Sequence, residues 1–382
     1  MANVTLVRPA FTPHIYGSVY SDVPAEREIR PPLGLAYLAA SLESQGHRIR
    51  IVDGEPKLLD LGDTVDRIME TNPDFVGITS TTPEFNFATD ILKAVKSRDR
   101  KIVTMAGGSH VSALPEYTID RHPEVDYVVV AEGEKGILRV MDRPQERVIR
   151  SRGPHDEIDP NENPWPARHL LNYDNYAYGD PVKGIVRSDA IEGQRSCPYK
   201  CHFCFRGVGT ELRMRDVGAI ADELEHTYKV NHVKHAIWFD DTLTASKKRA
   251  HQLCDEILRR EIDMSFYCFT ASNTLNKELL EHMRRAGFSM ITLGIESGNQ
   301  DILSSVGKAA KLGDYVIAYT AMAELGIETR GSVILGHPFE NHGTIWDTID
   351  FVLEGIPLQR LGVNVLMPFP GTRTWFQTLA KD

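Results

Sequence analysis

Three cysteines on one short segment constrain this chain more than any other feature. Cys197, Cys201 and Cys204 follow C-x3-C-x2-C spacing, and they are three of only five cysteines in 382 residues. Thiolates on one loop can converge on one face of a small metal cluster, and an iron–sulfur cube normally takes four of them. Three thiolates leave one iron without a protein ligand. The spacing therefore predicts a [4Fe–4S] cluster with one open iron.

A structural zinc site, or cysteines that only pack, is the alternative interpretation. A closed zinc site needs four ligands, often as two C-x2–4-C pairs, and the sequence holds no second pair. Cys254 and Cys268 are isolated and are predicted to be core thiols. His202 is expected to point away from its neighbours. The cluster is therefore favoured over zinc.

Composition indicates a globular protein of about two domains. Hydrophobic residues make up 42% of the chain and charged residues 25%, which is enough apolar material for substantial cores. The formal net charge of −10 argues against a nucleic-acid partner, because phosphate binding needs clustered Lys and Arg. No apolar run approaches the ~18 residues of a membrane span, and residues 1–7 resemble a strand rather than a signal peptide. Three cysteines on one loop suit a reducing compartment, so we expect a cytoplasmic protein.

Residues 1–143 alternate short β-rich runs with helical patterns, which predicts a parallel sheet wrapped by helices. We expect a helix over Leu33–Ser44, a strand over Phe75–Thr79 and a helix over Leu114–Arg121. This order predicts an α/β, doubly wound domain whose ligand lies beyond the carboxyl ends of the strands.

Small and polar residues follow the predicted strands of this first domain. Such residues allow a planar group or a phosphate-bearing tail to approach the backbone. The alternative is a doubly wound sheet that binds nothing. The candidates after the third, fourth and fifth strands are Ser80, Thr81, Gly107, Gly108, Gly133 and Glu134.

The rest of the chain divides into a linker and a second domain. Residues 144–184 lose the periodic pattern and are rich in proline, including Pro154 and Pro181, which predicts an extended linker. Residues 185–382 again alternate strands and helices, with one strand expected over Met290–Leu293. The predicted units of this domain are too few for a closed eight-stranded barrel.

These features together resemble one family, the radical S-adenosylmethionine enzymes fused to a cobalamin-binding domain. The resemblance rests on the cysteine loop, with Phe203 before its third cysteine, and on several motifs. These are P-P-L-G-L-A-Y-L-A-A at Pro31–Ala40, G-G-S-H-V-S-A-L-P at Gly107–Pro115, A-E-G-E at Ala131–Glu134, W-F-D-D-T-L-T from Trp238 and G-I-E-S-G from Gly294. The resemblance implies a Rossmann-like cobalamin-binding domain over residues 1–143. It implies a radical S-adenosylmethionine core, a partial (β/α)6 TIM barrel, over residues 185–382.

The resemblance also implies which residues contact S-adenosylmethionine. Carboxylates after the second strand of the core would hold its ammonium, and an arginine on the fifth strand would pair with its carboxylate. Each of these residues also has a plain structural interpretation, as a helix cap, a loop carboxylate or a surface residue. Tyr267 is a further candidate, as a hydrogen-atom or proton donor. The implied contacts are Phe203, Asp240, Asp241, Asn273, Glu296, Ser297, Arg330 and Met367.

One departure from the family concerns cobalamin. Domains that ligate cobalt from below use the histidine of a D-x-H-x-x-G motif, whereas this chain has T-P-H-I-Y-G, with Thr12 in place of the aspartate. Without that carboxylate the His14 imidazole lacks the partner that orients it. His14 is therefore more simply a loop histidine than a cobalt ligand. The implied cobalamin contacts are His14, Ser80, Thr81, Gly107, Gly108, Gly133 and Glu134.

The function implied by the resemblance is methylation of an unactivated carbon of a small-molecule or natural-product substrate, through a 5′-deoxyadenosyl radical and methylcobalamin. Such a reaction needs a low-potential electron donor of the flavodoxin or ferredoxin type. Cyclisation, ring rearrangement or oxidation without methyl transfer is one alternative. A non-catalytic cobalamin or S-adenosylmethionine sensor is another. A methylthiotransferase is disfavoured, because its second cluster needs N-terminal cysteines and residues 1–196 contain none.

Overall fold

The computed structural model describes residues 1–10, 29–150, 157–180, 183–207, 209 and 211–380. The chain forms two compact units that divide near residue 178. His14 lies outside the described residues, as do Pro154 and Pro181 of the predicted linker. None of the helices in the described ranges combines the length and the apolar character that crossing a membrane requires.

The first unit is a parallel sheet with helices on both faces. Its six described strands pair in the order β2-β1-β3-β4-β5-β6, and every pair is parallel. The strands are β1 Asn3–Arg8, β2 Arg48–Asp53, β3 Phe75–Thr79, β4 Val103–Gly107, β5 Tyr127–Val129 and β6 Val148–Ile149. The helices are α1 Leu33–Ser44, α2 Leu61–Glu70, α3 Phe85–Arg98, α4 Ser109–Ala113, α5 Pro115–Arg121 and α6 Gly133–Met141. The doubly wound architecture is confirmed.

Two apolar cores lie on opposite faces of this sheet because side chains alternate along each strand. On β1, Val7 joins the core that contains Ile91 and Leu92 of α3. Leu6, the preceding residue, joins the core that contains Leu42 of α1. A strand buried on both faces needs apolar residues at successive positions, which explains why Leu6 and Val7 stand next to each other in β1.

The second unit is a curled parallel sheet with helices after successive strands. Its seven described strands have the order β15-β14-β13-β12-β11-β8-β7, and each pair from β8 to β15 is parallel. The strands of this sheet are β7 Ala177–Asp180, β8 Gly184–Ile191, β11 His235–Trp238, β12 Ser265–Thr270, β13 Phe288–Glu296, β14 Glu328–Leu335 and β15 Arg360–Val365. A separate antiparallel ribbon is formed by β9 Gln194–Arg195 and β10 Arg213–Met214. The helices are α7 Val217–Lys229, α8 Lys247–Arg259, α9 Lys277–Arg285, α10 Gln300–Ser305, α11 Leu312–Glu324, α12 His342–Asp350 and α13 Arg373–Leu379. This half-barrel confirms the predicted fold class.

Aromatic packing and helix capping explain the local order of this unit. The Phe266 ring lies 6.1 Å from Trp238 and 5.2 Å from Phe288, so three neighbouring strands share one apolar layer. Cys254 and Cys268 are 1% and 0% exposed, in accord with the expectation that they are core thiols. The polar residue before each of α7, α8 and α9 accepts a hydrogen bond from the first turn, which sets where these helices begin.

The segment 144–184 differs from the extended linker that was expected. It supplies β6 to the first sheet and β7 to the second. Ala167 is 3% exposed and belongs to a core of the first unit. Tyr176 is 1% exposed and donates a hydrogen bond of 2.7 Å to Asp53. Short strands and isolated apolar anchors carry no periodic pattern, which is why the sequence did not indicate them. The boundaries 1–143, 144–184 and 185–382 stay a prediction.

Candidate cofactor site

The three-cysteine loop is supported by the buried end of β11. Asp240 is fully buried, and its Oδ1 accepts hydrogen bonds of 2.6 Å from Gly193 N and 3.2 Å from Gln194 N. Arg249 donates a hydrogen bond of 2.7 Å to the Gly193 carbonyl. Burial raises the pKa of Asp240 to about 7, against the lowering effect of these donors. Asp240 therefore braces the start of the β9–β10 ribbon, whereas Asp241, the next residue, is exposed.

The loop itself is anchored to three other segments of the same unit. Tyr199 donates a hydrogen bond of 2.8 Å from its hydroxyl to Asn273 Oδ1, so the predicted cofactor contact Asn273 is engaged with the loop. His202 N donates to the Val306 carbonyl at 2.9 Å, and the His202 ring lies 3.0 Å from a guanidinium nitrogen of Arg373. These anchors hold the segment that carries the thiols in one conformation.

All five cysteines are free thiols. The Cys201 and Cys204 side chains hydrogen-bond to each other, which lowers the pKa of Cys201 to about 7 and raises that of Cys204. Cys197 Sγ lies 3.4 Å from the Thr242 hydroxyl. Within the described ranges, no three His, Cys, Asp or Glu side chains are spaced to hold a single metal ion.

This donor set fits a cluster better than a single ion. A four-iron cube is a larger body than one ion, so thiolates that hold it need not converge on one point. Its ligands are thiolates, and three thiols that form no disulfide lie on one loop. Zinc in a closed structural site needs four converging ligands, which the described residues do not offer.

An ion pair between Glu296 and Lys308 lies beside the thiols. Glu296, at the end of β13, has φ +69, and its Oε1 is 3.1 Å from Lys308 Nζ. Burial acts to lower the pKa of Lys308, but the charges of Glu296, Tyr315 and Cys201 raise it above its usual value. A Cβ atom at Gly294 would lie 2.2 Å from Glu296 Oε1, so the glycine makes room for this carboxylate. Sequence reasoning missed Lys308. It lies 12 residues after Glu296 and belongs to no motif that would link the two residues.

The residues after Glu296 are turned toward α12. Ser297 is fully buried, and its hydroxyl lies 3.1 Å from that of Thr348. Gly298 N donates to the same Thr348 hydroxyl at 2.9 Å. A Cβ at Gly298 would come within 2.6 Å of the Thr348 backbone. In G-I-E-S-G, Ser297 and Gly298 therefore hold the loop against α12. Glu296 is the residue of this motif whose side chain lies beside the cysteine loop.

Arg330 and Met367 are not brought to this group. Arg330 is the third residue of β14 and pairs with Thr292 in register, whereas Glu296 pairs with Val333. At about 3.3 Å per residue, three residues separate Arg330 from the level of Glu296 by about 10 Å. Arg330 forms an ion pair of 2.9 Å with Glu328, and its guanidinium lies 5.4 Å from the centre of the Tyr267 ring. Met367 follows β15 and is 57% exposed.

His337 is a second residue that sequence reasoning missed. It follows β14, is 3% exposed, and its ring lies 5.6 Å from that of Phe203, the residue between the second and third cysteines. Within the described part of the chain, neither ring nitrogen has a well-aligned hydrogen-bond partner. Burial lowers the pKa of His337, against the raising effects of the Glu340 charge and of the charge and a main-chain hydrogen bond of Glu296. Only the tertiary fold brings it against the cysteine loop.

In the first unit, two unpartnered polar atoms mark the carboxyl edge of the sheet. Ser80 is 3% exposed, and among the residues described its Oγ has no hydrogen-bond partner. His110, missed by sequence reasoning, bonds Thr82 through Nδ1 at 3.2 Å, while its buried Nε2 is also unpartnered within the described ranges. The Ser80 N–H donates to the Gly107 carbonyl at 3.1 Å, and an added Cβ at Gly107 would meet nothing nearer than 3.6 Å. A polar ligand such as cobalamin fits this edge.

The other predicted cobalamin contacts have roles inside the protein. Gly108 has φ +95, and a Cβ there would lie 2.5 Å from the Ser80 carbonyl oxygen. A Cβ at Gly133 would lie 2.7 Å from Leu38, so this glycine allows α6 to pack on α1. Thr81 bonds Glu84 through both its N–H and its hydroxyl. Glu134 is 7% exposed and accepts a hydrogen bond of 3.2 Å from Asn163.

Comparison with known proteins matches each of the two units to a family. Residues 27–140 match the family described as the B12 binding domain, and residues 191–352 match the Radical SAM superfamily. An uncharacterized methyltransferase of Pyrococcus horikoshii is 30% identical over 371 residues, which cover 92% of this chain and 79% of that protein. The anaerobic magnesium-protoporphyrin IX monomethyl ester cyclase of Rubrivivax gelatinosus is 26% identical over 86% of this chain, and the match spans only 62% of the cyclase.

Among solved structures, the radical S-adenosylmethionine methyltransferase TsrM from Kitasatospora setae, with cobalamin and a [4Fe-4S] cluster bound, superposes with a TM-score of 0.77. The match covers 100% of this chain and 78% of that one, at 17% sequence identity. At this identity the likeness concerns the fold.

Proposed function

Because this chain belongs to the radical S-adenosylmethionine superfamily and carries a B12-binding domain, we propose that it methylates an unactivated carbon of a small-molecule or natural-product substrate. The observation that carries the proposal is the loop of three free thiols beside the Glu296–Lys308 pair. The cofactors are a [4Fe–4S] cluster, S-adenosylmethionine and cobalamin. When bound, they supply one-electron cleavage of a carbon–sulfur bond and a transferable methyl group.

The residues of the chain hold and orient these groups. Cys197, Cys201 and Cys204 would ligate three irons of the cluster. Glu296 and Lys308 offer a carboxylate and an ammonium, which are the charges complementary to the amino-acid part of S-adenosylmethionine. Both side chains are less than one-fifth exposed, so their charges act in a medium of low dielectric constant and are little screened by salt. In the first unit, Ser80 and His110 would receive polar groups of cobalamin.

Methylation is favoured over cyclisation by the relatives. The Pyrococcus horikoshii methyltransferase is more similar and is matched over more of its length than the Rubrivivax gelatinosus cyclase. Radical ring closure or oxidation is the second candidate, because that cyclase matches both units of the chain. The two outcomes differ in product mass, since only methylation adds a carbon. The low-potential electron donor and the cytoplasmic location are parts of the same proposal.

Anaerobic reconstitution tests the proposal. The purified protein should hold iron, sulfide and a corrinoid, and with dithionite it should convert S-adenosylmethionine to 5′-deoxyadenosine and methionine. S-Adenosylmethionine should also methylate reduced cobalamin on the protein, visible as a change in its absorption spectrum. A Cys204→Ala variant should lose the first activity and keep its bound corrinoid. Zinc in place of iron, or a cluster that leaves S-adenosylmethionine intact, would contradict the proposal.

A further inference from the structure

The inner face of the second sheet carries charged residues that the reaction proposed above does not use. On β14, Gly331 is buried, whereas Arg330 and Ser332 on either side of it are half-buried. A Cβ added at Gly331 would lie 2.7 Å from the Tyr319 hydroxyl of α11, so this position faces the helices. Because side chains alternate along a strand, Arg330 and Ser332 lie on the opposite, concave face of the half-barrel.

Two arginines lie side by side on this concave face. Arg360 of β15 pairs in register with Arg330 of β14. One oxygen atom, Glu328 Oε1, lies 2.9 Å from Arg330 Nε and 2.8 Å from Arg360 Nε. A carboxylate shared between two guanidinium groups leaves these three side chains with a net positive charge. Like charges directly opposite each other on neighbouring strands are unfavourable, and a bound anion would offset that repulsion.

Arg330 is held against an aromatic surface. Its guanidinium carbon lies 5.4 Å from the centre of the Tyr267 ring, which is within the range of a cation–π contact. The Tyr267 hydroxyl lies 2.9 Å from that of Thr292, which pairs in register with Arg330. The rings of Tyr267 and Phe269 are 4.9 Å apart, and Phe269 is half-buried. The guanidinium thus has a defined location beside an apolar surface that a ligand can contact.

Small residues separate the arginines from the cofactor site. Two positions further along their strands, Gly294, Ser332 and Gly362 pair in register on the same face. A Cβ added at Gly362 would meet nothing nearer than 3.8 Å. The level of Glu296, beside the cysteine loop, lies about 10 Å from that of Arg330. A small molecule of that length can contact the arginines at one end and present a carbon to the cofactors at the other.

We propose that Arg330 and Arg360 bind a carboxylate or phosphate group of the substrate. This inference rests on the proposed function and names its substrate class, an anionic small molecule whose reacting carbon lies about 10 Å from its anionic group. A guanidinium has five N–H donors in one plane and matches the paired oxygens of either anion. The ion pairs with Glu328 engage Nε of each arginine. Glu328 therefore orients the two side chains and competes with the substrate for them.

Matched aromatic probes measure the contribution of the anion while the substrate is unidentified. Phenylacetate and phenyl phosphate carry the two anionic groups on the same ring, and phenylacetamide is the neutral counterpart of phenylacetate. Their affinities for the reconstituted protein are measured by ligand-observed NMR, with and without S-adenosylmethionine, at low ionic strength to limit screening. Electron paramagnetic resonance of the reduced cluster reports S-adenosylmethionine binding, and thermal unfolding reports stability.

Three variants and a control separate substrate binding from a structural role. The variants are Arg330→Met, Arg360→Met and Glu328→Gln. Arg259→Met is the control, because Arg259 forms an ion pair with Glu256 and its side chain is 63% exposed. Glu328→Gln keeps both arginines, so it tests the inference even where an arginine variant fails to fold.

At least one anionic probe should bind the unchanged protein about tenfold more tightly than phenylacetamide, as expected for charge-assisted hydrogen bonds. Arg330→Met and Arg360→Met should each reduce this ratio to about threefold or less. Glu328→Gln should increase it several-fold, because the competing carboxylate is removed. Arg259→Met should leave every affinity unchanged. The anion that binds more tightly identifies the substrate group as a carboxylate or a phosphate.

Three results would overturn the inference. The anionic and neutral probes could bind the unchanged protein equally well, or the arginine substitutions could leave their ratio unchanged. Glu328→Gln could lower the melting temperature without tightening anion binding, which would make the three charges a structural network. Arg330→Met could weaken S-adenosylmethionine binding alone, which would assign Arg330 to the cofactor. Failure of the proposed function is distinguishable, because S-adenosylmethionine would then stay intact while the anionic probes still bind.

Discussion

The Lys308 ammonium lies 3.1 Å from the Glu296 carboxylate, and the two side chains are 16% and 9% exposed. Removing one partner of such a pair leaves the other charge buried and uncompensated. We expect Lys308→Met to lower the free energy of unfolding by about 3 kcal/mol. The double substitution Lys308→Met with Glu296→Gln should recover more than half of that loss.

Urea denaturation of the three proteins measures this coupling. Lys277→Met is the control, because Lys277 forms an ion pair with Glu324 in which both side chains are more than half exposed. That pair should contribute less than about 1 kcal/mol. A double variant as unstable as Lys308→Met alone would show that the two charges are not coupled.

Gly107 and Gly108 should respond differently to alanine. Gly108 has φ +95, and its Cβ would lie 2.5 Å from the Ser80 carbonyl, whereas the nearest atom to a Cβ at Gly107 is 3.6 Å away. We expect Gly108→Ala to destabilise the protein by more than about 2 kcal/mol and Gly107→Ala by less than about 1 kcal/mol. Gly107→Ala should instead reduce corrinoid binding. Thermal unfolding and corrinoid content after gel filtration measure the two effects, and equal loss of stability would contradict the assignment.

Asp240 should make stability depend on pH between about 4 and 7. Burial raises its pKa in the folded protein to about 7, above its ordinary value. In this range the folded state binds more protons than the unfolded state, so the free energy of unfolding falls as pH rises and levels off above about 7. Relative to the unchanged protein, Asp240→Asn should therefore gain stability as pH rises from 5 to 8. Urea titrations at both pH values test this, and a pH-independent difference would refute it.

His282 predicts a pH dependence of opposite sign. Its Nδ1 lies 2.9 Å from Nδ1 of His251, so one ring must donate and the other accept. Burial lowers the pKa of His282 in the folded state, and His251 adds to this, although Asp255 opposes it. The unfolded state then binds more protons below about pH 6.5, and stability is lost as pH falls through this value. His282→Gln should reduce the difference in unfolding free energy between pH 7.5 and 5.5; an unchanged difference would exclude this pair as its source.

Tyr199 should slow the loss of the cluster. Its hydroxyl ties the cysteine loop to Asn273, and a hydrogen bond of this kind contributes about 1 kcal/mol. Tyr199→Phe should therefore bleach several-fold faster on exposure to air, as followed by absorbance of the reconstituted cluster. Tyr117→Phe, at a half-exposed position of the first unit, should bleach at the original rate. Equal rates in all three proteins would mean that this contact does not hold the loop.

Elements with a strong periodic pattern were predicted at their observed bounds. The helix Leu33–Ser44 and the strand Phe75–Thr79 are found where the sequence placed them. The strand expected over Met290–Leu293 extends over Phe288–Glu296. The helix expected over Leu114–Arg121 begins at Pro115 and is preceded by the separate helix α4, because proline has no N–H to continue a helix from the preceding turn.

The site was predicted less completely than the fold, for a physical reason. Cysteine spacing within one loop is a local property, so Cys197, Cys201 and Cys204 could be read as a ligand set. Lys308 reaches Glu296 from the loop after α10, and His337 reaches Phe203 from the loop after β14, so both contacts depend on the tertiary fold. Asn273 and Ser297 were implied as cofactor contacts by the resemblance, yet their side chains bond to Tyr199 and Thr348.

The sequence by itself determined the alternation of strands and helices, the doubly wound and half-barrel architecture and the three-thiol loop, because each depends on residues close together in the chain. Only the tertiary structure decided which polar side chains are left for ligands. That depends on which donors and acceptors the protein pairs internally, and those partners lie tens of residues apart. The Ser297 hydroxyl is bonded to Thr348, whereas the Ser80 hydroxyl has no partner among the residues that the structure describes.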